Sequence, residues 1–295
     1  AWGPPIRIDA ELGEHIGSRL DFEPPRASLV LEILFWDGEA PRSLGETNWG
    51  PGLRTLAVLD PFDRRTFWVR ARGSISQGTL TIARTPGVSG PTCTAECQEL
   101  VQLPLPIHPE RQGYRIASTA VYAYLFGRLE VVMAVLHAGR RIAAADIPPF
   151  EVKRLSRWDG GSPPNHHSHV DGVDVDISLY RANGESVWYP LCASAGERCR
   201  RGTRWELGGE QMAMLIAGLF ESPLFSSDGE GPSPSLVFID RDYHRSIRRE
   251  AEALLERNLM RAEVHELFAP RRRLLRHVDK HHHHIHVRMR SSTSE

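Results

Sequence analysis

Two short stretches of the chain alternate apolar and polar residues with the period of a strand. In residues 173–179, Val173, Val175, Ile177 and Leu179 oppose Asp174, Asp176 and Ser178, and in residues 284–289, Ile285, Val287 and Met289 oppose His284, His286 and Arg288. Strand side chains alternate faces, so each stretch predicts a strand with its apolar back in a core and a row of polar heads on the other face. Carboxylates leave one such strand and imidazoles the other. A mount of this kind holds ligands rigidly.

The rest of the pattern divides in two. Before about Gly73 there are apolar runs of strand character at residues 29–36 and 66–69, separated by turn-rich segments at residues 37–41 and 49–52. This predicts a β-rich N-terminal module or extension, residues 1–72. Its Trp36, Trp49 and Trp68 would pack in its core or line a saccharide-binding face; tryptophans in strand patterns favour the core. From residue 73 to 295 the periodicity is mixed. It predicts a helix over residues 119–138, a strand over 150–155, helices over 204–220 and 243–267, and a buried strand over 236–240, with a glycine- and proline-bearing loop at 159–164 and another loop at 222–235. The histidine strand comes last. The fold class expected is α+β: an antiparallel central sheet carrying a metal site, flanked by helices, with the N-terminal β-rich extension.

Composition narrows the function. In 295 residues the formal net charge is -1, which argues against a nucleic-acid partner, since such partners call for a strong basic excess. The longest apolar segment, residues 116–136, is interrupted by Arg128 and Glu130 and reads as an amphipathic helix, so no membrane span is expected. The chain starts at Ala1 with no charged-then-apolar leader, so a signal peptide, had there been one, is expected to have been removed. Four cysteines fall as Cys93 with Cys97 and Cys192 with Cys199, in polar surroundings and without the spacing of structural zinc knuckles. Local disulfides within each pair are the reading for an oxidising compartment; reduced thiols are the alternative.

Histidine carries the candidate chemistry. The chain reads His166-His167-Ser168-His169-Val170-Asp171-Gly172-Val173-Asp174-Val175-Asp176 and, about a hundred residues later, His281-His282-His283-His284-Ile285-His286. A purification tag would be a longer run at an extreme terminus, whereas this run continues into a patterned strand. A surface tract that binds metal loosely is the better rival. The distant His169 and Asp176 weigh against it. A set of His, Asp and His with a fourth position open suits catalytic zinc, which keeps a water there and lowers its pKa to about 7. No serine or cysteine nucleophile is then needed.

These motifs resemble those of the penicillin-insensitive murein endopeptidases, the MepA-type zinc peptidases, grouped with D-Ala-D-Ala carboxypeptidases and hedgehog-like domains. The family string His-x-Ser-His-x-x-Gly-x-Asp-x-Asp is matched by His166, Ser168, His169, Gly172, Asp174 and Asp176, and the later His-x-His by His284 and His286, with His281 three positions before His284. Weaker similarity runs from about Gly73 to Met289. The resemblance implies that His169, Asp176 and His286 bind Zn2+, that His284 and His281 act on the water or the developing oxyanion, and that His166 lies near the site, in an outer shell or at a second metal. Asp174 faces the same way as Asp176; it reads as an outer-shell partner, a helper in substrate-amine recognition, or a solvated strand residue. Two positions depart from the family: Asn165 stands where a Gly is usual, and His282 where an Asp would orient a neighbouring imidazole.

The function this implies is a zinc metallopeptidase, a hydrolase of peptide cross-links in cell-wall peptidoglycan next to a D-amino acid, acting in the periplasm or after secretion on peptidoglycan peptides. Alternatives are a D-Ala-D-Ala carboxypeptidase or dipeptidase, and a non-catalytic zinc protein that binds cell wall.

Overall fold

A computed structural model describes residues 2–11, 15–23, 29–36, 39–49, 55–59, 65–73, 77–85, 100–157, 163, 168–193, 205–222 and 236–289. The chain forms two compact units, one of residues 1–92 with 102–107, the other of residues 93–101 with 108–295.

The first unit is built from two four-stranded sheets. In one, the strands run in the order Ile6–Ala10, Arg65–Gly73, Leu29–Trp36, Pro41–Trp49, all antiparallel. Its alternation sends Ile8, Ala10, Leu31, Ile33, Phe67 and Val69 into the core. The other sheet orders Gln77–Thr85, His15–Glu23, Thr55–Leu59 and Leu105–Pro106, the last pairing in parallel. All nine residues of His15–Glu23 pair with Gln77–Thr85, so the β-rich unit extends beyond residue 72. Of its tryptophans, Trp36 is 48% exposed and Trp68 is partly buried, while the side chain of Trp49 lies outside the described residues.

The second unit carries a seven-stranded sheet ordered Tyr114–Ile116, Phe150–Arg154, Asp174–Tyr180, His284–Arg288, Leu236–Phe238, Leu275–Arg276, with Ser186–Val187 paired to Asp174–Tyr180. The four central strands are antiparallel; the outer pairings at both edges are parallel. The carboxylate strand Asp174–Tyr180 and the histidine strand His284–Arg288 are neighbours in its middle, and their apolar backs, Val175, Ile177, Leu179, Ile285 and Val287, are fully buried. At roughly 25 cal/mol per Å² of apolar surface, each such side chain contributes about 1.5–3 kcal/mol, which anchors the strands that present the polar row. Helices Leu129–Ala144, Gly209–Phe220, Arg241–Glu256 and Ala262–Leu267 accompany the sheet. The two apolar helices pack closely at Gly218, where an added Cβ would lie 2.9 Å from Ala138 Cα.

The elements differ from the sequence expectation at their ends. The first long helix begins at Leu129, because residues 122–124 form a 3-10 turn and Phe126–Arg128 is extended, with Phe126 bridged to Ser156. Gly127 there has no room for a side chain: a Cβ would sit 2.6 Å from Leu155 Cδ2. The next helix starts at Gly209, since Glu206 and Leu207 are bridged to Cys192 and Arg181. In place of one helix over 243–267 there are two, parted at Asn258, whose φ of 57° is left-handed and ends the first. The buried strand expected over 236–240 stops at Phe238, and Asp240 instead caps the following helix by accepting from the Asp242 N–H at 3.1 Å. Residues 223–235, and all but Pro163 of residues 158–167, lie outside the described residues.

Candidate metal centre

Register brings the two halves of the site together. Asp174 stands opposite Arg288, Asp176 opposite His286, and Ser178 opposite His284. His169 comes from the turn that leads into the carboxylate strand. Its φ is 65°, that of Asp171 60° and that of Gly172 70°. A left-handed conformation at a non-glycine residue costs of order 1–3 kcal/mol and persists only where neighbours over-determine it. Here the His169 N–H donates to Asp174 Oδ2 at 2.9 Å, Arg128 Nε donates to the Asp171 carbonyl at 3.0 Å, and the Arg128 N–H donates to the Gly172 carbonyl at 2.9 Å. Gly172 is obligatory, since a Cβ would lie 2.7 Å from the Arg128 nitrogen.

His169, Asp176 and His286 are all buried, and one ligand atom from each lies within 4.8 Å of the other two. His169 Nε2 is 3.1 Å and His286 Nδ1 3.2 Å from Asp176 Oδ1. Ligands about 2.0–2.1 Å from a tetrahedral ion are about 3.3–3.5 Å apart, so these three atoms could hold a metal ion with little movement. His284 Nε2 stands beside the trio, 3.5 Å from the same Asp176 oxygen. His281 lies near, its ring 5.0 Å from that of His284 and 5.7 Å from that of His286, with Nδ1 against the Asp279 carbonyl at 3.1 Å.

Asp174 is not a solvated strand residue. It is fully buried, and Asp174 Oδ1 accepts from His286 Nε2 at 2.8 Å and from Arg288 Nε at 2.8 Å, while Oδ2 accepts from Arg288 Nη2 at 3.1 Å and from the His169 N–H. A histidine that donates one ring nitrogen to a carboxylate has the other fixed in direction and made more basic, the arrangement that backs metal-ligating histidines. Asp174 therefore aims His286 Nδ1 at the trio and holds the His169 backbone at the same time.

Burial opposes the charge on Asp174, but hydrogen bonds from His286 and Arg288 outweigh it and bring its pKa down to about 2. Burial likewise opposes charge on Asp176, and the imidazoles of His169, His284 and His286 outweigh it, holding the carboxyl well below its usual range. Against His286 burial works the other way, favouring the neutral ring, yet Asp174 and Asp176 raise its pKa to about 9. The trio without an ion thus binds a proton where an ion would sit.

Several groups around the trio carried no sequence signal or only a faint one. Arg288 shared the polar face of its strand, and its pairing with Asp174 follows from the register alone. Arg154, opposite Asp176 beyond a register shift in Phe150–Arg154, brings Nη1 to 4.0 Å from Asp176 Oδ2. Phe238 packs its ring 5.3 Å from that of His286, and Trp188 sits 6.0 Å from His284; neither could be placed from sequence, as both arrive by tertiary packing. His166, suggested as an outer or second-metal residue, lies outside the described residues. So do Cys93, Cys97 and Cys199, while Cys192 is disulfide-bonded. Among the described residues no helix is long and apolar enough to cross a membrane. No family model matches the chain, and no curated protein matches it.

Proposed function

We propose that the second unit is a zinc metallopeptidase that hydrolyses peptide cross-links of peptidoglycan next to a D-amino acid, in the periplasm or outside the cell. The observation that carries the hydrolytic reading is the buried trio His169, Asp176 and His286, with His286 backed by Asp174 through its second nitrogen. Two imidazoles and one carboxylate are a donor set suited to zinc, with a position left for a water. The substrate class is supported by the resemblance of both histidine motifs to the murein endopeptidases.

A zinc ion held there supplies Lewis acidity and a water that is nucleophilic at neutral pH. The protein's own residues do the rest. His284 Nε2, beside the trio, takes the proton of the attacking water and later returns it to the leaving amine. His281, whose ring lies beside those of His284 and Phe238, is suited to orient the attacking water. Its pKa is lowered by burial and by the neighbouring His284, and with Nδ1–H donated to the Asp279 carbonyl its neutral ring offers Nε2 as an acceptor. Asp174 and Arg288 keep the ligand face rigid through turnover.

The test is incubation of the purified chain with cross-linked muropeptides. Cleavage should vanish with a chelator, return with added zinc and persist with a β-lactam, which acylates a serine nucleophile and finds none in this mechanism. Release of terminal D-alanine only would make the enzyme a carboxypeptidase or dipeptidase. Cell-wall binding at full zinc occupancy without any cleaved product would make it a binding protein.

A further inference from the structure

An imidazole that accepts a proton at one nitrogen must already carry hydrogen on the other, and a neighbour has to hold it there. His284 turns Nε2 toward the trio. Its Nδ1 lies 3.3 Å from Nδ1 of His283, with the two rings at 89° and their centroids 4.5 Å apart. Neutral imidazoles that meet nitrogen to nitrogen hydrogen-bond only when one of the two is protonated and the other bare.

We infer that His283 is the positioning residue of His284: in the zinc-loaded protein His283 Nδ1 accepts the hydrogen bond, His284 Nδ1 keeps its proton, and His284 Nε2 is left bare toward the attacking water. This rests on the peptidase reading above and assigns a role to a histidine outside both motifs. The opposite arrangement would protonate His284 Nε2 and turn that proton toward Asp176 Oδ1. A cation sharing that oxygen's charge removes the attraction, which favours the bare Nε2.

The surroundings fit an acceptor at His283. Burial, then the charges of His284, His282 and His281, and finally Lys153 lower its pKa to about 4, so it stays neutral and keeps a lone pair. Trp188 limits the swing of His284: their rings are tilted by 32°, and the indole is fixed by donating from Nε1 to Glu151 Oε2 at 2.6 Å. Lys153 Nζ lies 5.2 Å from the centre of the same indole. When His284 Nε2 takes the water's proton the ring becomes imidazolium. The Nδ1–H bond to His283 is retained, and the proton leaves from Nε2 to the departing amine.

The experiment is nitrogen-15 NMR of the histidine tautomers in the zinc-loaded full chain, with His283→Ala and His283→Asn beside it. The His284 signals are assigned by their disappearance in His284→Ala. Asparagine keeps an acceptor close to the place of Nδ1. The wild type should show His284 protonated at Nδ1. In His283→Ala that tautomer should be lost or mixed, and kcat on cross-linked muropeptides should fall by about 10- to 100-fold with KM nearly unchanged, the usual scale for a partner that orients a histidine. His283→Asn should restore both, and all three proteins should bind the same amount of zinc. A wild-type tautomer in His283→Ala, or equal losses in the Ala and Asn proteins, would overturn the assignment. If the wild type cleaves no peptide, the peptidase reading fails while the spectra still decide the tautomer.

Discussion

Each unit buries carboxylates on a strand, and the partners given to them differ in kind. In the first unit Glu32, 4% exposed, faces Arg70 across the register of Leu29–Trp36 and Arg65–Gly73, and Arg70 Nε donates to it. A guanidinium is never neutral, so the charge has a permanent answer and the pair is part of the sheet. In the second unit Asp176, 3% exposed, faces His286 and gathers nitrogens of His169, His286 and His284, while Arg154 stays at 4.0 Å. Imidazoles can release their protons and turn lone pairs to a cation. Burial is common to both carboxylates; the titratable partners are what mark a site.

The contrast can be broken first at Asp174. Asp174→Ala removes the acceptor behind His286 and the clamp on Arg288, and metal affinity should fall by about 10- to 100-fold, the range for outer-shell partners of ligating histidines. Competition with a chelator of known affinity measures it. An unchanged affinity would leave Asp174 a purely structural acid.

Glu32→Gln should act on the other side of the comparison. Leaving Arg70 without its buried counter-charge is expected to cost about 1–3 kcal/mol, less than a fully buried pair because Arg70 is partly solvated. Denaturant unfolding reads the loss, and metal affinity should not move. A change in metal affinity would mean that the structural pair and the site are coupled.

A third effect is on pH. In the metal-free protein the pKa of His286 is raised to about 9 from an ordinary value of 6.5, so its contribution to stability is full below about pH 6.5 and is lost as pH rises through about 9. Asp174 works in the other direction: lowered to about 2 from 3.8, it stabilises above about pH 3.8 and that contribution fades as pH falls through about 2. The metal-free chain should therefore melt at lower temperature at pH 10 than at pH 6. Metal binding has to expel the His286 proton below pH 9, so calorimetry in buffers of different ionisation heat should show about one proton released at pH 7. Absence of proton release would contradict the place given to His286 Nδ1.

Much of this arrangement was legible in sequence, for a physical reason. Where one face of a strand is core, alternation fixes which residues share the other, and residues 173–179 and 284–289 alternate cleanly. That put Asp174 with Asp176 and His284 with His286. Alternation says nothing about which strands pair or in what register, so Asp174 meeting Arg288, and Asp176 meeting His286, had to be seen. The helix ends were missed where tertiary contacts override periodicity, as at Gly127 packed on Leu155. Asn258 was a local signal that could have been read, since asparagine tolerates the left-handed conformation that ends a helix. The turn after His169 left a trace of the same kind in Asp171-Gly172, a turn dipeptide. Histidine and aspartate tolerate the left-handed conformation better than most residues, but it is held by Asp174, Arg128 and the space that only Gly172 fits.

The central claim is that one ion is held by His169, Asp176 and His286. It is tested most directly by counting zinc in the wild-type chain and in His286→Ala after dialysis against a weak chelator, with folding of both verified by circular dichroism. The account predicts one equivalent per chain in the wild type and a site largely emptied in the variant. A full equivalent retained by folded His286→Ala would contradict it.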